Sequence, residues 1–175
     1  RAAGYRPVSL AVGDDAFWSL DAAQSRILRH KTSDPATVLY AKPAPGLAPT
    51  ALAYDGKALW SYDAVNRSLY RHGSDEGNAK AYPLDANAVP TAMQWVEGRL
   101  WVFDSKNRRL SGYDFADGVF KPAFARELGE TVIGLAVQDW AKAGRQVWVL
   151  AGPSARRPGF ALLRYRFGWR VFTIF

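Results

Sequence analysis

The sequence repeats one pattern four times, and this repeat constrains the fold more than any other feature. The stretch PVSLAVGDDAFWSLDAAQSRILRH, which starts at Pro7, returns from Pro49 as PTALAYDGKALWSYDAVNRSLYRH and from Pro90 as PTAMQWVEGRLWVFDSKNRRLSGY. A divergent fourth copy starts near Val132. The three prolines are 42 and 41 residues apart. A period in the low forties with strand-like content is typical of a β-propeller, in which each copy forms one blade.

Each copy divides into four short β-rich runs separated by turn residues. In the second copy these runs are 50–54, 58–62, 67–72 and 79–83, and Asp55-Gly56 between the first two is a strong hairpin signal. Four strands joined by tight turns make one antiparallel blade. We therefore predict an all-β fold, a propeller of four four-stranded blades, with membership of a larger propeller as the alternative. The blades of this single domain are expected at about 7–42, 49–84, 90–125 and 132–175.

The first run of each copy alternates between a large residue and small ones. The large residues are Leu10, Leu52, Met93 and Leu135. The residues that flank them are Ser9, Ala11, Ala51, Ala53, Ala92, Gln94, Gly134 and Ala136, all of them small except Gln94, the one larger polar residue on these innermost runs. Because successive strand residues face opposite sides of a sheet, the small residues share one face. That face is predicted to lie against a crowded central axis or against the neighbouring blade.

Two further features recur in register. The second run carries Trp18, Trp60, Trp101 and Trp148, which we interpret as core residues that fill the wedge between blades, with a ligand cage as the alternative.

The second run closes on Asp21, Asp63 and Asp104, and the third opens near Arg26, Arg67 and Arg108. We predict that each Asp caps a turn and pairs with its Arg, whereas a ring of metal ligands is the alternative.

The repeat resembles the NHL and YVTN type of propeller repeat. Residues 52–69 carry the resemblance best, through Leu52, Ala53, Asp55, Gly56, Leu59, Trp60, Asp63, Asn66, Arg67 and Leu69. The resemblance implies a toroid of four-stranded blades with a binding or, less often, a catalytic role, and it favours an extracytoplasmic location. The motif residues of that family are structural, so no catalytic residue is carried over. Four copies depart from the six or seven blades that are usual there.

All of the net charge of +7 lies in the last part of the chain. Residues 1–139 carry 16 basic and 16 acidic side chains, whereas the segment from Trp140 onward has no acidic residue. Its basic residues are Lys142, Arg145, Arg156, Arg157, Arg164, Arg166 and Arg170. They form either a solvated rim or a docking surface for an acidic partner, an anionic polymer or membrane headgroups. Trp140 and Trp169 lie outside the repeat register and are candidates for a small-ligand or glycan site.

Catalytic residue types are scarce. His30 and His72 are the two histidines, both at the ends of third runs, and the sequence has no cysteine and no recognisable catalytic motif. We therefore expect no metal, no cofactor and no nucleic-acid partner.

The chain starts at Arg1 without a leader and has no membrane-length apolar run, which indicates a processed protein or a domain of a larger one. The apolar last run, 170–175, is expected to be covered.

These features favour a non-catalytic interaction or scaffolding propeller domain of a larger protein or assembly. It would dock through its loops and its basic fourth blade onto a protein partner, or onto the remainder of its own chain. A small-ligand or glycan binder and an NHL-like hydrolase or lyase are the alternatives.

Overall fold

The computed structural model describes residues 5–13, 15–73, 78–85, 87–140, 144–154, 157–167 and 172–174. Within these ranges, the side chains of residues 139–140, 144–145, 166–167 and 172–174 are outside the description. The described residues form sixteen strands and no helix. This part of the chain therefore has no helix that could cross a membrane.

The strands pair in chain order into four antiparallel four-stranded sheets. Blade 1 contains β1 (Pro7–Val12), β2 (Ala16–Asp21), β3 (Arg26–Lys31) and β4 (Asp34–Pro43). Blade 2 contains β5 (Pro49–Tyr54), β6 (Leu59–Asp63), β7 (Ser68–His72) and β8 (Ala79–Pro83). Blade 3 contains β9 (Pro90–Val96), β10 (Arg99–Asp104), β11 (Arg109–Ala116) and β12 (Val119–Glu127). Blade 4 contains β13 (Val132–Trp140), β14 (Gly144–Ala151), β15 (Ala161–Phe167) and β16 (Phe172–Ile174).

The four sheets are arranged as a β-propeller, which confirms the predicted fold class. The first strand of each blade is innermost: β1 packs against β5, β5 against β9, and β9 against β13. We call the face of a blade directed towards the preceding blade its upstream face, and the face directed towards the next blade its downstream face.

The small residues of the innermost strands lie on the downstream faces. Ala51 and Ala53 of blade 2 are buried in one cluster with Met93 of blade 3, and Ala11 of blade 1 shares another with Leu52 of blade 2. The alternation seen in the sequence therefore places a large residue of each blade against the small face of the blade before it. Close packing of two sheets, rather than crowding at an axis, explains why these positions are small.

Hydrogen bonds between side chain and backbone also cross each interface of the innermost strands. The Leu52 amide donates to Ser9 Oγ at 2.9 Å, and the Thr50 hydroxyl donates to the Pro90 carbonyl at 2.6 Å. Between blades 3 and 4, the Gln94 amide group donates to the Val137 carbonyl at 3.0 Å and accepts from the Val137 amide at 2.6 Å. Buried polar groups need such partners, so these bonds fix the position of one blade on the next.

The recurring aspartates accept from backbone amides, as predicted. Asp21 Oδ1 accepts from Ala23 N at 3.0 Å, and Asp104 Oδ1 accepts from Asn107 N at 3.0 Å. Asp104 also accepts from Val89 N at 3.0 Å, in the segment that connects blade 2 to blade 3. The carboxylate therefore holds both its own turn and the connection from the preceding blade.

Asp63 makes the same two kinds of contact in blade 2. It accepts from Asn66 N at 2.9 Å, from Leu47 N at 3.0 Å and from Ala48 N at 2.6 Å. Gly46 lies so close to this carboxylate that any Cβ at that position would overlap it, and its φ of +88° is in the region that favours glycine.

No ion pair joins Asp21, Asp63 or Asp104 to the predicted Arg partner within the described ranges. Arg67 and Arg108 have φ values of +52° and +50°, and Ser25, rather than Arg26, is their counterpart in blade 1, with φ of +48°. The backbone of this residue closes the turn. Its carbonyl accepts from the residue that leaves the fourth strand: Ala44 bonds to Ser25 at 2.8 Å, Leu84 to Arg67 at 3.1 Å and Leu128 to Arg108 at 2.7 Å.

The recurring tryptophans differ between the inner blades and the last one. Trp18, Trp60 and Trp101 are buried on downstream faces in the three clusters between blades. The Trp60 ring also lies 5.3 Å from the ring of Phe115, which belongs to blade 3. Trp148 of blade 4 is only half-buried.

We expect Trp60→Ala to lower the free energy of unfolding by about 3–5 kcal/mol, because it leaves a cavity between two blades. Trp148→Ala should cost less than about half as much, because part of that ring already faces solvent. Urea unfolding followed by far-UV circular dichroism measures both changes. Equal losses for the two variants would contradict this assignment of the interfaces.

Candidate functional site

A cavity of about 410 Å³ lies between the innermost strands β1, β9 and β13. Its walls include Leu10, Ala92, Met93, Ile133 and Gly134, and none of the described residues that line it carries a carboxylate, imidazole, ammonium or guanidinium group. No group of three or more His, Cys, Asp or Glu side chains in the described part of the chain could hold a metal ion. The described residues of these walls offer apolar contacts and a few hydroxyl groups, those of Tyr5, Ser9 and Thr91.

Gln94, the larger polar residue predicted on an innermost strand, is not available at this cavity. Both ends of its amide are bonded to the backbone of Val137, as described above. Its role is to join blade 3 to blade 4.

The two histidines each bond to a serine on the neighbouring strand of the same blade. His30 Nε2 lies 2.7 Å from Ser19 Oγ, and His30 Nδ1 lies 3.1 Å from the Pro35 carbonyl. The Tyr5 hydroxyl donates to Ser19 Oγ at 2.6 Å. A cavity of about 550 Å³ lies beside this group, with Asp21 and Arg26 also in its wall.

This Ser–His arrangement has the atoms of a nucleophile and base, but a second copy argues for a structural role. Ser61 Oγ lies 2.9 Å from His72 Nε2 at the same place in blade 2, and both residues are buried. Ser19 is also fully buried, so its hydroxyl is closed to a substrate. The pairs could have been noticed in the sequence, since Ser follows the Trp and His ends the third run only in copies one and two.

Burial lowers the pKa of His72 from 6.5 to about 4, and the nearby Lys42 ammonium acts in the same direction. At neutral pH His72 is therefore uncharged, because burial disfavours the charged form of an imidazole.

Arg157 and Arg164 are the predicted basic-surface residues of blade 4 whose side chains the structure describes. The Arg164 guanidinium lies over the Trp148 ring, 5.5 Å from its centroid. Trp148 and Arg164 are directly opposite each other on β14 and β15, as Trp60 and Arg71 are on β6 and β7. Arg164 thus occupies a position of the repeat, which the sequence register alone had not indicated.

Arg157 is tied to the segment before blade 4. Its Nη2 donates to Glu130 Oε2 at 3.0 Å and to the Gly152 carbonyl at 3.1 Å. Burial raises the pKa of the neighbouring Tyr165 hydroxyl, and the Glu130 carboxylate adds to this effect. The remaining predicted side chains lie outside the described part of the structure, and their binding role stays a prediction: Trp140, Lys142, Arg145, Arg156, Arg166, Trp169 and Arg170.

No protein-family model and no curated protein matches this sequence. Solved structures with the same fold include the glutaminyl cyclase of Myxococcus xanthus, at 15% sequence identity and a TM-score of 0.66, over 94% of this chain and 67% of that one. A putative 6-phosphogluconolactonase from Bacteroides uniformis matches at 11% identity and a TM-score of 0.60, over 98% of this chain and 56% of that one. Virginiamycin B lyase from Staphylococcus aureus matches at 13% identity and a TM-score of 0.59, over 94% of this chain and 56% of that one.

The chain thus spans about two thirds or less of the length of these structures. At such low identity the likeness concerns the fold, and these neighbours are propeller-like proteins that include enzymes.

We expect the free energy of unfolding to fall by about 2 kcal/mol between pH 7 and pH 5 because of His72. In that range the unfolded chain takes up a proton at about pH 6.5, whereas the folded protein does so only near the lowered pKa of about 4. The stability from this group is present above pH 6.5 and is lost as the pH falls towards 4. Urea unfolding of wild type and His72→Gln at both pH values measures the effect; an undiminished pH dependence in His72→Gln would contradict it.

Proposed function

We propose that this chain is a non-catalytic, NHL-like interaction domain that docks an acidic protein surface through blade 4. The observation that carries the proposal is the separation of charge. The segment from Trp140 onward has seven basic residues and no acidic one, whereas residues 1–139 are balanced. A concentrated charge of one sign steers an oppositely charged partner and raises its association rate.

The use of the polar groups supports a binding role over a catalytic one. The two histidines are bonded within their own blades, and the amide of Gln94 is bonded across an interface. Among the described residues that line the cavity between the innermost strands, Tyr5 alone carries an ionisable group. General acid–base catalysis requires a titratable group within hydrogen-bond reach of the substrate, and His, Asp, Glu and Lys, the residue types that most often serve, are not among the described residues that line this cavity.

The likeness to solved propellers leaves both roles open, since the fold hosts many functions. Proteins of this fold that resemble the chain include a glutaminyl cyclase and a lyase. We place the chain with the interaction domains because of its charge and its bonded histidines. An extracytoplasmic location and membership of a larger assembly are parts of the same proposal.

The proposal can be tested with poly-L-glutamate as the acidic probe. The double variant Arg156→Glu/Arg170→Glu reverses two charges of the basic segment. We expect it to weaken binding by about tenfold, which corresponds to ~1.4 kcal/mol. Raising the ionic strength should weaken wild-type binding, since exposed charges are screened beyond about 10 Å at 0.1 M salt.

The matched control is Lys57→Glu/Lys121→Glu, which makes the same change in net charge at exposed positions of blades 2 and 3. It should weaken binding by less than about threefold, because screened interactions at a distance contribute little. Equal weakening by the two double variants, or no binding of the probe by wild type, would argue against blade 4 as the docking surface.

A further inference from the structure

Within the described part of the chain, no blade covers the upstream face of blade 1, although residues of this face match those that are buried in the next two blades. Leu10, Leu52 and Met93 occupy the same position of the repeat. Leu52 is 0% and Met93 6% exposed, whereas Leu10 is 60% exposed. Val12, which alternates with Leu10 on the same face, is 71% exposed. A blade face built for packing is therefore open.

The downstream face of blade 4 is open in the same way. Leu150 lies opposite Leu162 in β14 and β15, as Tyr62 lies opposite Leu69 in blade 2 and Phe103 opposite Leu110 in blade 3. The residues in blades 2 and 3 are all 0% exposed, but Leu150 is 41% and Leu162 is 64% exposed. The half-buried Trp148 belongs to this face too.

The two open faces do not cover each other. The cavity of about 410 Å³ opens between β1 and β13, and Leu10 and Ile133 are among its walls. Apolar faces of this kind are rare on a protein that has no partner for them. They mark places where another surface packs.

The shape of the established interfaces indicates what that surface is. Each of the three interfaces joins two blades that are consecutive in the chain, with a small downstream face against a large upstream face. Blade 4 offers the small face, with Gly134 and Ala136, and blade 1 offers the large one, with Leu10. A blade that follows blade 4 would fit the small face of blade 4, and a blade that precedes blade 1 would fit the large face of blade 1.

Blades of the same chain fit these faces better than a separate molecule does. A linked blade needs no association from solution and is present at a high effective concentration. The solved propellers that match 94–98% of this chain have 33–44% of their own length outside the matched part. That remainder is roughly the length of two or three blades of about 40 residues.

We propose that the upstream face of blade 1 and the downstream face of blade 4 each pack against a further four-stranded blade, formed by sequence that flanks residues 1–175 in the full-length protein. The four blades are then a sector of a larger ring. This inference does not depend on the proposed function, because it concerns the faces of the sheets and not the charge of blade 4.

The absence of cysteine in the 175 residues allows a direct test by thiol labelling. Single substitutions Leu10→Cys and Leu162→Cys place one thiol on each open face. Val65→Cys, in the exposed turn between β6 and β7, is the matched control. The rate of reaction with Ellman's reagent is measured in the full-length protein, with the unsubstituted full-length protein as the blank.

We expect the thiols of L10C and L162C to react at least ~tenfold more slowly than the thiol of V65C in the full-length protein, because a buried thiol reacts only through local opening. In the 175-residue chain at low concentration, all three should react at similar rates. Circular dichroism checks that each variant is folded; substitution at exposed positions should disturb the fold little.

Two results would overturn the inference. One is reaction of L10C and L162C at the control rate in the full-length protein, which means that both faces stay open. The other is protection that already appears in the 175-residue chain and increases with its concentration, which identifies a second copy as the occupant. Protection in the full-length protein alone supports the flanking blades.

Discussion

The structure depends on one repeated contact, in which a large residue on the innermost strand of a blade packs against small residues of the blade before it. Leu52 and Met93 make this contact against Ala11 and Ala53, respectively. The other links between blades act around it: the buried tryptophans fill the wider part of each wedge, and side chains such as Gln94 bond across to the next backbone. Because burial of apolar area is the main stabilising contribution to folding, loss of this contact would separate the blades.

Contacts within the blades also occupy several polar and charged side chains that could otherwise take part in binding or catalysis. His72 is held uncharged by burial, and its ring nitrogen is bonded to Ser61. Arg164 lies over Trp148, in a position that belongs to the repeat. Residue types that carry chemistry in many proteins thus make contacts here between neighbouring strands of one blade. The proposed docking role rests on the concentration of basic residues in the segment from Trp140 onward.

The spacing of the repeat was sufficient to predict the fold class and the turn at Asp55-Gly56, because those depend on local pattern and turn chemistry. The sequence could not show that the carbonyl of Arg67, rather than its guanidinium, closes the turn, since a positive φ at a residue other than glycine has no clear sequence signal. It also could not distinguish Leu10 from Leu52. The two stand in the same pattern, and only the arrangement of the blades makes one exposed and the other buried.

The most direct test of the account compares these two equivalent positions in the 175-residue chain. Leu52→Ala removes a side chain buried between blades 1 and 2, and should lower the free energy of unfolding by about 2–5 kcal/mol. Leu10→Ala makes the same chemical change on an open face, and should lower it by less than about 1 kcal/mol. Urea unfolding of both variants beside wild type measures the difference. Equal losses at the two positions would show that the packing between blades is not what stabilises this fold.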